Sequence, residues 1–217
     1  MPWTNPRLRA SFLLISIIVF LVMSPLLENR PGGELVLVFN MYVTLIAATL
    51  ELKEKPILFW SAMPVAGTSM ILLLVSHFSP IKSILITSDA VLAIFFAIVC
   101  ASLFVYLGRR GQVRERLLVS VSLYFLLALM WFAIYNFTNA VHPGSFAEAG
   151  VSIMGRAKYS QILYFSMTTL TTLGYGDIVA VKPAARMLAT LEAAAGVLYL
   201  AITVSRLVSA QQTGNEV

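Results

Sequence analysis

The sequence Thr-Thr-Leu-Thr-Thr-Leu-Gly-Tyr-Gly-Asp, residues 168–177, places hydroxyls, glycines and a carboxylate in a strongly apolar chain. A cation that sheds its water needs oxygen ligands, and backbone carbonyls supply them when several point the same way. Consecutive carbonyls on one side require alternating backbone conformations, some of which glycine reaches more easily than other residues. The pattern therefore predicts that Thr172–Gly176 coordinates a dehydrated cation, with the Thr172 hydroxyl adding an oxygen at the inner end.

Residues beside this segment are predicted to support it. The ring of Tyr175 would turn away from the ion and pack on aromatic neighbours, for which Tyr164 and Phe165 are candidates. Asp177 would either raise the local cation concentration or hydrogen-bond the preceding short helix. Taken alone, the threonine run that begins at Thr168 is also typical of a helix end whose hydroxyls bond to the preceding turn.

The number of such segments predicts the assembly. One strand cannot surround an ion, and the chain carries one such strand. Four copies around a symmetry axis would complete the ligand shell, so we expect a homotetramer with the pore on that axis. The segment implies no cofactor other than the permeant ion itself.

The composition indicates a membrane protein. Of the 217 residues, 59% are hydrophobic and 12% are charged, whereas a soluble domain is about half apolar and about a quarter charged. The net charge of +5 does not indicate nucleic acid, because the basic residues lie mainly between hydrophobic runs. Membrane lipids are therefore the expected surroundings. The single cysteine, Cys100, lies in an apolar run and is expected to pack as a small hydrophobe.

Six apolar runs have, or nearly have, the length of about 20 residues that a membrane-spanning helix needs. The first run is too long for a signal peptide, whose apolar stretch is about 7–15 residues, so we expect a retained helix. The predicted spans are Ser11–Leu27, Leu35–Leu50, Ile57–Phe78, Asp89–Leu107, Leu117–Phe137 and Met187–Val208.

Between the last two runs, the chain is expected to enter the membrane without crossing it. The apolar stretch Tyr159–Leu170 has 12 residues, too few to span a bilayer. Non-helical backbone at membrane depth is tolerated where it lines a cavity or is buried in protein. The predicted fold is an all-α membrane protein with six transmembrane helices, and with a re-entrant pore helix and selectivity filter between helices five and six. Residues 1–116 would form a four-helix non-pore domain, and residues 117–217 the pore domain.

The basic residues predict the orientation in the membrane. With the N-terminus inside, nine Lys and Arg residues lie on the inner side and six on the outer side, and the four between Arg109 and Arg116 dominate this bias. We therefore expect a multi-pass protein of the cell inner membrane with both termini in the cytoplasm. We also expect no soluble gating domain, because only Ser209–Val217 follows the sixth run.

The fourth run, Asp89–Leu107, contains no Lys or Arg. Voltage-sensing helices carry several arginines, and about 3–4 gating charges per subunit make opening steeply voltage-dependent. We therefore expect little intrinsic voltage sensing, with the four leading helices acting as a scaffold or responding to lipid or tension. Asp89, which follows Ser88 at the start of this run, is predicted to be a helix N-cap.

The segment, together with the short helix before it and the span after it, resembles the selectivity filter of potassium channels, whose loops read Thr-Val-Gly-Tyr-Gly. Leu173 replaces the valine, and the resemblance extends over Leu117–Val208. It implies a prokaryotic six-helix potassium channel that lacks a charged voltage-sensor helix, conducts K⁺ passively and is not an enzyme. The implied ion ligands are the backbone carbonyls of Thr172, Leu173, Gly174, Tyr175 and Gly176.

The resemblance also implies roles for the last helix. Gly196 matches the glycine hinge of the family's inner helix, although a glycine at this position also permits close helix packing. Val197, Leu200 and Val204 would face the cavity, with Val208 near the cytoplasmic crossing. Thr168 stands where the best-studied bacterial member of the family has a glutamate behind the filter.

Two charged residues of the last helix, and the function as a whole, leave alternatives open. Glu192 is either a functional acid within the membrane or a structural bond to the pore helix or a neighbouring subunit. Arg206 is expected to extend to the inner headgroups. A less selective monovalent cation channel is the alternative function, which Tyr175 argues against. A non-conducting scaffold or transporter is a further one, and transporters usually show two interrupted helices.

Overall fold

Six helices of the described part of the chain are long and apolar enough to cross a membrane, as the sequence predicts. The computed structural model describes residues 5–27, 30–79, 81–107, 113–154 and 158–212. Its helices are α1 (Pro6–Leu27), α2 (Gly33–Glu51), α3 (Pro56–Phe78), α4 (Lys82–Leu107), α5 (Val113–Val141), α6 (Tyr159–Leu170) and α7 (Pro183–Gln212), with a 3-10 turn at Leu52–Glu54. Its strands are β1 (Phe146–Glu148), β2 (Val151–Ser152) and β3 (Ile178–Ala180). The chain is thus a multi-pass membrane protein.

The start of α4 differs from the prediction. The helix begins at Lys82, so Asp89 lies within it, and the prediction that Asp89 caps its N-terminus is wrong. The hydroxyl of Thr87, before Asp89, is accommodated inside the helix, because it donates to the carbonyl of Ser83 at 2.8 Å. A hydroxyl that bonds the preceding turn does not end a helix.

Helix α5 is the shared support of the fold. It packs against α4 and α1 on one side and against α6 and α7 on the other. Its buried residues include Leu126, Leu129, Phe132 and Tyr135, which join one continuous apolar core with residues of the flanking helices. The elements that carry the predicted site are therefore held by the same helix that holds α4.

The junction of α4 and α5 uses a basic residue that was expected to set topology or contact lipid. Arg116 is buried, and its guanidinium donates to the carbonyl of Leu107 at the end of α4, at 2.9 Å. This bond satisfies one of the carbonyls that a helix end leaves without a partner. Arg109 and Arg110 lie outside the described residues.

A small antiparallel sheet accompanies the predicted helices. Its strand order is β2-β1-β3, and Phe146 pairs with Ala180 while Glu148 pairs with Ile178. The strands have two or three residues each, too short to show an alternating pattern in the sequence. The sheet joins the chain before α6 to the chain after the predicted filter, so it fixes both ends of that region.

Helix α6 has the bounds predicted for the short helix, Tyr159–Leu170. Its N-terminus is held by Gln161, whose side chain accepts from the Lys158 backbone amide at 3.1 Å and donates to Glu148 at 2.7 Å. The helix is thereby attached to the small sheet. Its re-entrant placement in the membrane stays a prediction.

Candidate ion-binding site

The backbone of the filter strand, residues 172–176, alternates in the way that the ion-binding hypothesis requires. Thr172, Gly174 and Gly176 have φ values of +57°, +50° and +82°, so every second residue adopts a left-handed conformation. Glycine adopts this conformation without steric cost, but a residue with a Cβ holds it at a cost of about 1–3 kcal/mol. The strain at Thr172 has no signal in the sequence, because threonine does not mark such positions.

Two carbonyls at the end of α6 hold the start of the filter strand. The Thr168 carbonyl accepts the amides of Leu173 and Gly174 at 2.8 and 3.1 Å, and the Thr169 carbonyl accepts the amide of Thr172 at 2.9 Å. Three successive amides are therefore bonded to the helix end. Thr168 supports the strand through its backbone oxygen, not its side chain.

The hydroxyls of the threonine run bond to the preceding turn, as the helix-end interpretation predicts. The Thr168 hydroxyl has the carbonyls of Tyr164 and Phe165 at 3.0 and 3.1 Å, and the Thr171 hydroxyl donates to the carbonyl of Met167 at 2.7 Å. These two side chains therefore complete the helix. The Thr168 hydroxyl takes no part in a bond to Asp177.

Asp177 is attached to α6 and to the small sheet. Its carboxylate accepts from the Tyr164 hydroxyl and from the Ile178 amide, the latter at 3.0 Å, and its carbonyl accepts from the Ala149 amide at 3.0 Å. The hydrogen bond from Tyr164 lowers the pKa of Asp177, and the same bond raises the pKa of Tyr164. The contact favours the hydrogen-bonding alternative for Asp177.

The two aromatic residues expected beside Tyr175 lie in different places. Phe165 is buried against Tyr135 and Phe146, with ring centroids 5.1 and 5.2 Å apart, and so faces α5 and β1 within its own chain. Tyr164 is the one of the pair that lies near Tyr175. The Tyr175 side chain itself is 69% exposed in a single chain.

Gly196 on α7 lies against the end of α6. A Cβ added to it would overlap the Leu170 carbonyl oxygen and approach the Leu170 carbonyl carbon and Cδ1 at 3.0 and 3.1 Å. The same carbonyl accepts from the Tyr124 hydroxyl of α5 at 3.3 Å. Close packing therefore accounts for this glycine, while bending at Gly196 stays a prediction.

The residues predicted to line the cavity share one uncovered face of α7. Val197, Leu200 and Val204 are spaced for one side of a helix, and they are 54%, 49% and 58% exposed within the chain. Apolar side chains of this size are usually covered by protein, by lipid or by a partner. The side chain of Val208 lies outside the described part of the structure.

Glu192 is the buried acid of α7, and its bonds lie within its own chain. Its two carboxyl oxygens meet the Ser166 hydroxyl of α6, at 2.6 Å, and the Tyr135 hydroxyl of α5. The side chains of all three residues are buried. The structural bond to the short helix is confirmed, whereas nothing in the sequence pairs Tyr135 with an acid 57 residues away.

Comparison with known proteins finds similarity to ion channels in the second half of the chain. The sequence model described as "Ion channel" matches residues 121–212, which run from α5 to the end of α7. A stretch of 80 residues is 35% identical to the inward rectifier potassium channel Kirbac3.1 of Paramagnetospirillum magnetotacticum. Residues 121–212 are therefore similar to an ion channel family, and part of the chain is similar to a potassium channel. The matched region resembles a channel and not an enzyme.

The matched residues 121–212 contain every site residue described above, from Tyr124 to Val204. The stretch shared with the relative covers 37% of this chain and 23% of the relative, so the chain matches about a quarter of that protein's length. No solved structure matches the chain. Helices α1–α4 lie outside the matched residues, and their assignment as a separate domain stays a prediction.

Proposed function

We propose that this chain is a subunit of a potassium-selective channel that conducts K⁺ passively through four copies of the filter strand. The alternating backbone of Thr172, Gly174 and Gly176 carries this proposal. Such a backbone lets successive carbonyls share one direction, and the amides bonded to the Thr168 and Thr169 carbonyls fix the strand from behind. The carbonyls of residues 172–176 and the Thr172 hydroxyl would then replace the water of a K⁺ ion.

The surface of a single chain supports the homotetramer. The filter strand is exposed, with Leu173 and Tyr175 at 55% and 69%, and the apolar face of α7 is uncovered beside it. A closed ring of four subunits around a fourfold axis would cover Leu173 and Tyr175 with neighbouring protein and leave the α7 face around a cavity. The named relative is a potassium channel, which agrees with K⁺ as the permeant ion.

The proposal includes weak voltage dependence and a defined orientation. The described α4 contains one basic residue, Lys82, at its first position, and no arginine. Moving few charges through the membrane field gives shallow opening curves. We place the protein in the inner membrane of the cell. The distribution of Lys and Arg puts both of its termini in the cytoplasm.

Flux measurements on the purified protein in liposomes test the proposal. We expect K⁺ flux to exceed Na⁺ flux strongly, and Gly174→Ala to abolish K⁺ flux while the tetramer persists, because alanine strains a position with φ +50°. Gly67→Ala on α3 is the matched control, since a Cβ there meets no atom within 4 Å.

The outcomes separate the functions. Equal K⁺ and Na⁺ permeability would indicate the less selective cation channel. The absence of both K⁺ and Na⁺ flux from an intact tetramer would indicate a non-conducting scaffold. Full K⁺ flux in Gly174→Ala would show that the filter strand is not the ion path.

A further inference from the structure

The carboxyl group of Glu192 joins three helices behind the filter strand. One oxygen contacts the Ser166 hydroxyl of α6 at 2.6 Å, and the other contacts the Tyr135 hydroxyl of α5. The Ser166 hydroxyl also lies 2.8 Å from the carbonyl oxygen of Ala128, on α5. Four oxygen-bearing groups from α5, α6 and α7 therefore form one connected chain of short contacts.

The number of hydrogens decides the direction of these bonds. Three contacts need three hydrogens, and the Ala128 carbonyl has none to give. The hydroxyls of Tyr135 and Ser166 supply one hydrogen each. An ionised Glu192 supplies none, which would leave one short oxygen–oxygen contact without a hydrogen. A protonated Glu192 supplies the third, and every contact is then a hydrogen bond.

The surroundings of Glu192 also favour its protonated form. The side chain is fully buried in the middle of α7, and its partners in the described residues are the two hydroxyls. No Lys or Arg among the described residues pairs with it. A carboxylate without a cationic partner is costly to bury, and such a group is stabilised in its neutral form instead.

We propose that Glu192 is held as a neutral carboxylic acid that donates to Ser166, and that this acid positions α6 behind the filter strand. The hydrogen-bond chain then runs from Tyr135 to Glu192, from Glu192 to Ser166, and from Ser166 to Ala128. The positioning role rests on the proposed function, whereas the protonation of Glu192 does not.

The position of Ser166 in α6 connects this series of hydrogen bonds to the filter strand. Ser166 lies two residues before Thr168, whose carbonyl accepts two amides of the filter strand. One turn after Glu192, Gly196 packs on Leu170 at the other end of the same short segment. The two contacts from α7 hold the last two turns of α6, so losing the Glu192 bonds would let the Thr168 carbonyl shift.

Infrared spectroscopy of the purified protein tests the protonation. At neutral pH we expect the carbonyl band of a protonated carboxylic acid in the wild type, and its loss in Glu192→Gln. Glu34→Gln is the matched control, because Glu34 is a largely exposed acid in the first turn of α2 and should leave the band in place. A wild-type spectrum without this band would overturn the neutral acid. This result is independent of whether the protein conducts ions.

Liposome flux of the same variants tests the positioning role. A glutamine at 192 can donate to Ser166 and accept from Tyr135, so Glu192→Gln should keep K⁺ flux per tetramer and the K⁺/Na⁺ permeability ratio. Glu192→Leu leaves the Tyr135 hydroxyl buried without its acceptor and removes the bond from α7 to Ser166, so flux should fall by about tenfold or more. Loss of flux in an assembled Glu192→Gln tetramer, or wild-type flux and selectivity in Glu192→Leu, would overturn the proposal.

Discussion

The guanidinium of Arg206, near the end of α7, lies 4.8 Å from the centre of the Phe104 ring on α4. This arginine was expected to extend to lipid headgroups, which stays a prediction, and its guanidinium also connects the last helix to the fourth. Tyr199, two turns earlier on α7, donates to the Ser120 carbonyl of α5 at 2.6 Å. The half of α7 remote from the filter is therefore attached to both α5 and α4, which gives the leading helices a direct contact with the inner helix.

The Arg206–Phe104 contact predicts coupling between α4 and channel opening. A cation over an aromatic ring contributes about 0.5–1 kcal/mol at exposed sites and about 2 kcal/mol when desolvated. We expect Phe104→Leu and Arg206→Gln each to shift the open probability of single channels in planar bilayers. The double variant should shift it no further than one of them, because the two changes remove the same contact.

Phe39→Leu is the matched control for this measurement, because Phe39 on α2 is 66% exposed within the chain and is not part of the apolar core. It should leave the open probability unchanged. Fully additive effects of Phe104→Leu and Arg206→Gln would show that the contact does not contribute to gating.

The contact between Gly196 and Leu170 predicts a loss of stability on Gly196→Ala. The added methyl group would overlap the backbone of Leu170, and overpacking of this kind costs about 1–3 kcal/mol. The tetramer should dissociate at a lower temperature, as followed by gel filtration after heating. Gly67→Ala, in an uncrowded part of α3, should instead leave stability unchanged or raise it slightly, by about 0.4–1 kcal/mol.

A different result would distinguish packing from bending at Gly196. If Gly196→Ala kept the dissociation temperature of the wild type but changed the open probability, the glycine would act as a hinge and not as a packing site. If both were unchanged, the close approach to Leu170 would be without consequence.

The Tyr164–Asp177 bond predicts how the filter responds to acid. Because this bond lowers the pKa of Asp177, the carboxylate and its bond persist above the ordinary value of 3.8 and are lost only as the pH falls through the lower, folded-state pKa. Tyr164→Phe removes the bond, so the pKa of Asp177 should rise toward 3.8. The pH at which acid inhibits K⁺ flux should therefore be higher in Tyr164→Phe than in the wild type.

Tyr42→Phe provides the control for acid inhibition. It also removes a tyrosine hydrogen bond, from Tyr42 to the Met70 carbonyl at 2.8 Å, but between α2 and α3. Its inhibition midpoint should match that of the wild type. An unchanged midpoint in Tyr164→Phe would mean that Asp177 protonation does not control the filter.

The sequence predicts those parts of the protein that depend on local pattern. Tyr159–Leu170 is bounded by polar residues on both sides, and the glycines at 174 and 176 mark left-handed backbone, so both features follow from residue type alone. The contacts that hold the site join residues far apart in the chain, such as Tyr135 with Glu192. Residue type does not indicate such partners, because many hydroxyls in the apolar helices have equivalent sequence surroundings. The left-handed conformation of Thr172 accompanies local bonds, from its own amide to the Thr169 carbonyl and from the next two amides to the Thr168 carbonyl, and threonine does not mark such a position in the sequence.

The charge content of α4 predicts shallow voltage dependence. Lys82 is the basic residue of this helix, it lies in the first turn and is exposed, and the acid Asp89 lies two turns further on. Steep opening requires about 3–4 charges per subunit that cross the membrane field, and one charge at a helix end crosses little of it. Open probability in planar bilayers should therefore change gradually with voltage, and Lys82→Gln should leave the slope unchanged. A steep wild-type curve equivalent to several charges per subunit would contradict this prediction and would indicate that another part of the protein moves charge.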